Sequence, residues 1–389
     1  MEKVHFMERL LEGVDVEWKK LGDVAIKISS GKNKDKSNSG KYPVYGSTGI
    51  IGRTDNKTYE QKQILVARVG ANAGRVNIAE GEYDVSDNTL IIKCSKIIKL
   101  KFLYYYLVNI NLNRFVKGAG QPLLTAGQLK KIPIPIPPLK VQSEIVRILD
   151  NFTELTAELT AELSARKKQY SYYRDTLLSF EEGEVEWKKL GDPEVGEFIR
   201  GKRFVKTDMK PEGIPCIHYG QMYTYYGIWA NKSKSFVSPE LVDAKKLRTA
   251  KKGDVIFVAA GETIEDIGMA TAWFGDEDVV IHDACFFYKT KLNAKYIAYY
   301  TRTNFFKNQI RKSVSSGKIS AINAKGLGKV IIPVPSPEEQ ERIVTILDKF
   351  DTLTNSISEG LPREIALRQK QYEYYRDLLL SFPKKEVEA

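Results

Sequence analysis

Lysine and arginine side chains recur in stretches rich in glycine, asparagine and serine, where they are suited to contacting a polyanion. Lysine and arginine neutralise phosphates, and arginine and glutamine also pair with base edges in the major groove of DNA. We interpret them as candidate DNA contacts, against the alternative of a solvated basic surface, and favour contact for the clusters 32–36 and 200–206. The candidates are Lys27, Lys32, Lys34, Lys36, Arg53, Arg68, Arg75, Lys117, Gln121, Arg200, Lys202, Arg203, Lys206, Lys232, Lys234 and Lys318.

Two further sets of residues allow either a structural or a ligand-binding interpretation. Tyrosine and tryptophan residues can stack on bases, but packing in strands and in the core is the favoured interpretation. Two cysteines and two histidines match the ligand set of a zinc site, yet Cys-x-His is an unusual spacing, so buried thiols and hydrogen-bonded imidazoles are favoured. The residues are Tyr219, Tyr223, Tyr225, Tyr226 and Trp229, the triple Tyr104 to Tyr106, and Cys216, His218, His282 and Cys285.

The sequence offers little for catalysis. It has three histidines, no Asn-Pro-Pro-Tyr or Asp-Pro-Pro-Tyr methyltransferase motif and no phosphate-binding Gly-Lys-Ser/Thr loop. Pro193-Glu194 with Asp208-Met-Lys210 is too loose a match to a metal-nuclease pattern to carry weight. We therefore expect no catalytic residue and no bound metal or cofactor.

Composition narrows the class of protein. The chain of 389 residues has 42% hydrophobic residues and a formal net charge of +11, which suits packed cores and an anionic partner. No apolar run approaches the roughly 18 residues of a membrane span. Residues 1–11 carry four charges unlike a secretory signal, and three cysteines are too few for a disulfide framework. We expect a cytoplasmic protein of two or three domains.

Three segments of the sequence each occur twice, in the same order. Val16-Glu-Trp-Lys-Lys-Leu-Gly-Asp23 recurs unchanged as Val185 to Asp192, the segment Ile134 to Phe152 recurs as Ile332 to Phe350, and Arg166 to Phe180 recurs as Arg368 to Phe382. The offset between copies rises from 169 to 198 and then to 202. The second unit therefore has 29 extra residues in its insert and four in its helical segment. The inserts, 27–130 and 198–328, share little sequence, so we expect a duplicated frame with divergent inserts.

The chain ends extend this repeat. Leu178 to Trp187 has a partial third copy at Leu380 to Ala389, which predicts a pseudo-cyclic arrangement with an approximate two-fold axis and neighbouring termini.

Each unit predicts one long helix after a proline-rich strand. Apolar residues from Gln142 to about Leu178 follow steps of three and four, a narrow stripe typical of a coiled-coil seam. The second helix repeats the stripe, but Gly360 and Pro362 interrupt it and should kink or fray it. We expect the two helices to pair antiparallel, with a partner protein docking on exposed aromatics. The candidates for this docking are Tyr172, Tyr173, Tyr374 and Tyr375.

The inserts predict mixed α/β domains. Each also predicts a short aromatic helix, followed by an extended exit at 132–137 in the first unit. The predicted strands are 42–45, 63–67, 89–92, 254–258 and 285–288, and the short helices are 101–106 and 295–300.

The duplicated order resembles the specificity subunit of type I restriction–modification systems. The resemblance covers almost the whole chain and rests on the Val-Glu-Trp-Lys-Lys-Leu-Gly entry, the Pro-Ile-Pro-Pro exit and the Tyr-Tyr-Arg-Asp helix end, together with Tyr42 to Gly52 and Val66 to Ala71. It implies two target-recognition domains that each read half of a split DNA site. It also implies two methyltransferase subunits, which bring S-adenosylmethionine and methylate adenine, and a motor-nuclease subunit.

We therefore expect an α+β chain in which two target-recognition domains alternate with two spacer helices. Its expected function is non-catalytic DNA-sequence recognition of an asymmetric site, with no membrane association. The alternatives are a stand-alone DNA methyltransferase or nuclease, and a structural coiled-coil adaptor that does not bind DNA. The expected segments are 1–138 and 181–336 for the domains, 139–180 and 337–382 for the helices, and 383–389 for a tail.

Overall fold

The structure, a computed structural model, describes residues 12–13, 15–34, 37–118, 122–315, 317 and 319–382. Lys36, Gln121, Lys318 and residues 383–389, which are the predicted tail and most of the partial third copy, lie outside the described residues. The chain divides into two compact units, the first formed by Met1–Thr160 with Glu364–Ala389 and the second by Ala161–Arg363.

The first unit contains a four-stranded and a three-stranded sheet beside a small frame sheet. The order β2-β8-β5-β6 puts the wholly buried strand β5 inside the larger sheet, which explains its unbroken apolar run. The smaller sheet has the order β4-β3-β7, and β1 pairs with β9. The elements are β1 (Glu17–Lys20), α1 (Leu21–Val24), β2 (Ala25–Ser30), β3 (Tyr42–Gly46), β4 (Gly49–Thr54), β5 (Gln63–Ala67), β6 (Val76–Ala79), β7 (Asp84–Val85), β8 (Thr89–Cys94), α2 (Leu100–Asn109), a 3₁₀ turn (Leu112–Phe115), α3 (Ala126–Lys130), β9 (Pro133–Ile136) and the start of α4 (Leu139–Leu177).

The second unit contains a five-stranded sheet, a four-stranded sheet and two small two-stranded sheets. The larger sheet has the order β11-β20-β16-β18-β13, the next β14-β12-β19-β15, and the small pairs are β10-β22 and β17-β21. The elements are β10 (Glu186–Lys189), β11 (Gly196–Arg200), β12 (Ile214–Ile217), α5 (Tyr219–Met222), β13 (Trp229–Ala230), β14 (Ser235–Val237), α6 (Pro239–Lys245), β15 (Thr249–Ala250), β16 (Val255–Val258), β17 (Ala260–Gly261), β18 (Ala270–Trp273), β19 (Val279–Ile281), β20 (Cys285–Thr290), α7 (Ala294–Tyr300), α8 (Asn304–Arg311), β21 (Ser320–Ala321), α9 (Ala324–Gly328), β22 (Ile331–Val334) and α10 (Pro337–Asn355), with 3₁₀ turns at Lys206–Asp208 and Ile264–Asp266; α11 (Gly360–Leu379) follows.

The two inserts share one topology although their sequences differ. Strands β2, β8, β5 and β6 correspond in order and direction to β11, β20, β16 and β18. The parallel pair of β3 with β7 likewise corresponds to that of β12 with β19. The predicted divergence of the inserts therefore concerns their side chains, while their backbones keep a common topology.

Most of the additional length of the second insert falls in one place. Tyr45 pairs with Val85 in the first unit, and Ile217 pairs with Ile281 in the second. The offset between copies thus rises from 172 to 196 between these parallel strands. That segment holds β13, β15 and α6, which have no counterpart in the first unit.

A duplicated frame sheet joins each insert to its helix. Trp18 lies opposite Pro135 in the first unit, and Trp187 lies opposite Pro333 in the second. The register is therefore identical in the two units, as the duplicated sequence predicts.

A buried glutamine and a partly buried aspartate fix the first insert to α4. The amide of Gln142, which is fully buried, accepts from the Lys99 backbone N–H at 2.7 Å and donates to the Pro137 carbonyl at 2.8 Å. About two turns further on, Asp150 accepts from Lys101 Nζ at 2.6 Å and from the Tyr105 hydroxyl at 2.7 Å.

The second insert repeats this clamp on α10. Gln340 accepts from the Asn293 backbone N–H at 2.9 Å and donates to the Pro335 carbonyl at 2.9 Å. Asp348 accepts from Lys295 Nζ and from the Tyr299 hydroxyl, both at 2.6 Å. The triple Tyr104 to Tyr106 and its counterpart are thus used in packing, as predicted: Tyr105, Tyr106, Tyr299 and Tyr300 are buried.

The helices pair within each unit through equivalent aromatic stacks. In the first unit Phe152 stacks on Tyr375 with ring centroids 5.4 Å apart, and in the second unit Phe350 stacks on Tyr173, also at 5.4 Å. The N-terminal part of α4 thus meets the C-terminal part of α11, while the C-terminal part of α4 meets α10. This order is that of the predicted antiparallel pair.

The second spacer helix, expected over 337–382 with an interruption at Gly360 and Pro362, is broken into two helices. Helix α10 ends at Asn355 and α11 begins at Gly360, so four residues separate them. Gly360 has a left-handed φ of 72°, and a Cβ there would lie 2.4 Å from the Thr352 carbonyl oxygen. Pro362 lies in the first turn of α11, where proline is tolerated, so the interruption precedes it.

Replacing Gln340 with alanine should destabilise the second unit by about 1–3 kcal/mol, because the buried Asn293 N–H and Pro335 carbonyl would each lose a partner. Denaturant unfolding of the full chain measures this free energy. Gln369→Ala, at an exposed position of α11, is the matched control and should change it by no more than about 0.5 kcal/mol. Equal losses in the two variants would contradict the clamp.

Candidate nucleic-acid interface

Four loops of the first unit lie side by side at one end of its larger sheet. Arg68, which follows β5, donates its backbone N–H to the Asn88 carbonyl at 3.0 Å, and its own carbonyl accepts from Leu124 at 2.8 Å. Gly70 donates to Pro122 at 3.0 Å, and Asp87 donates to Asn33 at 3.3 Å. The loop after β2, the loop between β5 and β6, the loop after β7, and the hairpin paired at Lys117 and Leu123 are therefore contiguous.

A glycine without room for a side chain sets the first of these loops. A Cβ on Gly31 would lie 2.2 Å from the Val85 carbonyl oxygen. Lys32 then donates its backbone N–H to that same carbonyl at 3.0 Å, which fixes the backbone of the loop and leaves the Lys32 side chain exposed.

The second unit builds the same end of its sheet from the equivalent residues. A Cβ on Gly201 would lie 2.3 Å from the Ile281 carbonyl oxygen, and Lys202 donates to that carbonyl at 3.0 Å. Ala259, after β16, donates to the Ala284 carbonyl at 2.8 Å. The hairpin paired at Ser315 and Ala321 lies against this loop, because β21 pairs with β17. The Gly-Lys step is thus a duplicated feature of the inserts.

The loops bring several predicted DNA contacts together in the first unit. Lys32, Lys34, Arg75 and Lys117 are exposed in them. The side chain of Arg68 is half-buried, its Nη1 is 3.5 Å from the Asp87 carbonyl oxygen, and its Nε is buried without a partner among the described residues.

Two predicted contacts of the first unit lie elsewhere. Arg53 Nε and Nη2 donate to the carbonyls of Gly40 and Lys41, both at 2.6 Å, so this side chain holds the turn before β3. Lys27 lies within strand β2, opposite Lys93, and not in a loop.

The second unit divides its candidates in the same way. Lys202 is half-buried and its Nζ lies 3.4 Å from the Lys245 carbonyl oxygen, whereas Arg203 and Lys206 are exposed. Arg200 Nε donates to the Asp283 carbonyl at 2.9 Å, a structural contact that ties the end of β11 to the loop after β19.

Lys232 and Lys234 are exposed in the segment before β14, away from the Gly-Lys step in sequence. Lys234 Nζ lies 4.9 Å from the centroid of the Tyr225 ring.

The neighbouring aromatics are only partly core. Tyr226 is buried and its hydroxyl accepts from the Lys234 backbone N–H at 2.9 Å, as predicted. Tyr219 and Tyr223 are half-buried. Tyr225 and Trp229 are 55% and 41% exposed, so the prediction of core packing is wrong for these two.

The cysteine and histidine residues form a packed cluster. Cys216 and Cys285 are fully buried, and burial raises the pKa of the Cys216 thiol to about 12. The rings of His218 and His282 are 4.5 Å apart, and each Nδ1 accepts a backbone N–H, as predicted for core imidazoles. Burial, followed by the charges of His282 and Lys206, lowers the pKa of His218 to about 4. Within the described ranges, no group of three His, Cys, Asp or Glu residues is arranged to hold a metal ion.

The duplicated architecture is also found when the chain is compared with known proteins. A family model described as "Type I restriction modification DNA specificity domain" matches residues 13–166 and again 183–367. A putative type I restriction enzyme specificity subunit from Haemophilus influenzae is 37% identical over 97% of this chain and 98% of its own length. The EcoR124I/EcoR124II specificity subunit from Escherichia coli is 37% identical over 100% of this chain and 99% of its own length.

The chain belongs to the family of type I restriction–modification specificity subunits.

The S subunit of a type I restriction–modification system from M. genitalium shares the fold, with a TM-score of 0.59 and 18% identity over 96% of this chain and 98% of its own. The chain of a structure titled for complex assembly and conformational transition of the type I R-M system shares it as well, with a TM-score of 0.57 and 16% identity over 95% of this chain and 98% of that one. Within the described part of this specificity subunit, no helix is both long and apolar enough to cross a membrane.

The four tyrosines predicted for partner docking differ in exposure. Tyr172 and Tyr374 are 66% and 56% exposed on the helices of the specificity subunit. Tyr173 and Tyr375 face the helix seam, where they stack on Phe350 and Phe152. Docking stays a prediction, and the structure favours Tyr172 and Tyr374 for it.

Sequence reasoning missed the loops after β7 and β19. The loop Ser86 to Asn88 carries backbone partners for both Asn33 and Arg68, and Ala284 in the loop 282–284 accepts from Ala259, the counterpart of Arg68. No charge pattern signals these loops. The repeated Gly-Lys step at 31–32 and 201–202 was the available signal, since it marks the strand ends that they contact.

Acidification should destabilise the second unit through the histidine cluster. The folded-state pKa of His218 lies near 4, below the ordinary 6.5, so the unfolded chain takes up a proton first. The free energy of unfolding should therefore fall as the pH drops from about 6.5 towards 4. Denaturant unfolding at a series of pH values, compared between the unmodified chain and His218→Gln, measures this. Identical pH profiles for the two proteins would contradict the assignment.

Proposed function

We propose that this specificity subunit recognises a bipartite, asymmetric DNA site, with the insert of each unit reading one half-site. The observation that carries the proposal is the repeated loop cluster: a Gly-Lys step, the loop after the central strand and a hairpin meet at the same end of the larger sheet in both units. Loops held on a rigid sheet are where binding residues concentrate.

Charge supports DNA as the ligand of these clusters. The chain has a net charge of +11; exposed basic residues from separate loops converge in the first cluster, and Arg203 and Lys206 are exposed in one loop of the second. The lysines contact phosphates and position the protein, while arginine and polar side chains read base edges. The loops differ in sequence between the units, so the two half-sites differ.

The chain itself contributes no catalytic group. Methyltransferase subunits dock on the helices, bring S-adenosylmethionine and methylate adenine, and a motor-nuclease subunit joins for restriction. Support for docking comes from the exposed rings of Tyr172 and Tyr374, since aromatic residues are enriched in protein interfaces.

The purified chain, with and without methyltransferase subunits of its own system, should enrich a split motif from a randomised DNA duplex library. Its affinity for that motif should fall steeply as salt rises. Binding releases the cations condensed on the DNA phosphates, and this release is less favourable at a high salt concentration. Exchanging residues 24–131 for another first insert should change one half of the motif and leave the other unchanged. No enrichment in the presence of the subunits would favour a structural adaptor, and methyl transfer by this chain alone would favour an enzyme.

Deleting the four residues 356–359 should change the preferred spacer between the half-sites or weaken binding. These residues separate α10 from α11 and match in number the insertion found in the second helical segment. The same library selection measures the spacer, and replacement of the segment by four alanines is the length-matched control. An unchanged spacer after deletion would count against a role of the helices as a ruler.

A further inference from the structure

Two structurally equivalent loops of the units carry opposite charge. The arginine loop is residues 68–75, between β5 and β6, and the acidic loop is residues 259–269, between β16 and β18. Both are closed by a left-handed glycine, Gly74 with φ 90° and Gly268 with φ 78°. Gly74 donates to the Ala67 carbonyl at 2.8 Å, and Gly268 donates to the Val258 carbonyl at 2.9 Å.

The equivalence extends to the residues that open the loops. Arg68 donates to Asn88 at 3.0 Å and accepts from Leu124 at 2.8 Å. Ala259 donates to Ala284 and accepts from Ile322, both at 2.8 Å. The backbone thus places Ala259 where the first unit has Arg68.

The charges of the two loops differ although the backbone frame is the same. The arginine loop contains Arg68 and Arg75 and no acidic residue, while the acidic loop contains Glu262, Glu265 and Asp266 and no basic residue. Asp266 is bound by the Thr263 hydroxyl. Glu262 and Glu265 are exposed, and neither has an ion pair or a side-chain hydrogen bond within the described residues.

An exposed carboxylate pair at this position is unfavourable near phosphates. The acidic loop lies beside the hairpin at 315–321 and near the Gly201-Lys202 step, which belong to the cluster proposed to contact DNA. Carboxylates repel phosphate oxygens but accept hydrogen bonds from the exocyclic amino group of cytosine in the major groove. They are therefore suited to base edges that present donors.

The arginine loop has the complementary chemistry. Arg68 Nε is buried without a partner among the described residues, and its Nη1 makes only a long 3.5 Å contact to the Asp87 carbonyl oxygen. A guanidinium with unused donors is suited to acceptors, of which guanine O6 and N7 are the usual bidentate pair.

We propose that these two loops are base-reading elements of opposite polarity, with Arg68 contacting guanine in the first half-site and Glu262 and Glu265 contacting cytosine amino groups in the second. The inference rests on the proposed function and deepens it. The opposite charges of the two loops, as well as the different sizes of the two inserts, then account for an asymmetric site.

The test uses the full chain assembled with its methyltransferase subunits and the randomised duplex library. Glu262→Gln combined with Glu265→Gln should reduce a cytosine preference in the second half-site by about tenfold or more and leave the first half-site unchanged. Glu277→Gln, an exposed position beyond the far end of β18, is the matched control and should leave both half-sites unchanged.

Arg68→Lys is the reciprocal variant. It keeps the positive charge but lacks the planar pair of donors, so a guanine preference in the first half-site should weaken by about tenfold while the second half-site stays the same. Arg147→Lys, on an exposed part of α4, is its control.

Two other results are distinguishable. If the glutamine variant binds all sequences more tightly and keeps every base preference, the acidic loop only repels phosphates and the inference is wrong. If the unmodified complex enriches no split motif, the proposed function itself is wrong, and the loops lose the site that they are proposed to read.

Discussion

The structure depends on one polar joint with a buried glutamine, present twice, between each insert and its helix. A glutamine amide, Gln142 or Gln340, pairs with backbone groups of the insert, and an aspartate, Asp150 or Asp348, accepts from a lysine and a tyrosine of the short aromatic helix. Buried polar groups are costly when any partner is missing, so such a joint has one satisfied geometry. It fixes each sheet, and with it the loops at the end of that sheet, relative to the adjoining helix segment.

The joint explains why frame and insert changed differently after duplication. The residue types of the joint recur in both units because each has several partners, whereas an exposed loop residue has few. The strands of the inserts kept their pairing although their side chains changed, since backbone hydrogen bonds do not depend on side-chain identity. The inserts could therefore exchange nearly all their side chains, gain 24 residues between two parallel strands and retain one topology.

The sequence predicted the frame better than the inserts for the same reason. Helix α4, expected from Gln142 to about Leu178, spans Leu139–Leu177, because its side chains repeat with the period of the helix. The predicted strands 63–67 and 285–288 also occur, the latter extended to Thr290. The common topology of the inserts was not predictable, since it lies in backbone pairing between distant segments. The break before Gly360 was underestimated as a kink, because a left-handed φ is not visible in a hydrophobic pattern.

Charge alone is a poor guide to which side chains meet a ligand. Arg53 and Arg200 satisfied every sequence criterion for a DNA contact, yet each donates to backbone carbonyls of its own unit. A guanidinium that already holds a turn has fewer donors for a base, and removing it would alter the turn as well. Arg68 differs because a buried donor remains unpaired beside an exposed loop, and Glu262 and Glu265 differ because an exposed carboxylate in a basic cluster has no internal partner. We therefore expect unsatisfied hydrogen-bonding capacity, held at a fixed position by the surrounding backbone, to be the better criterion for a base-reading residue in this fold.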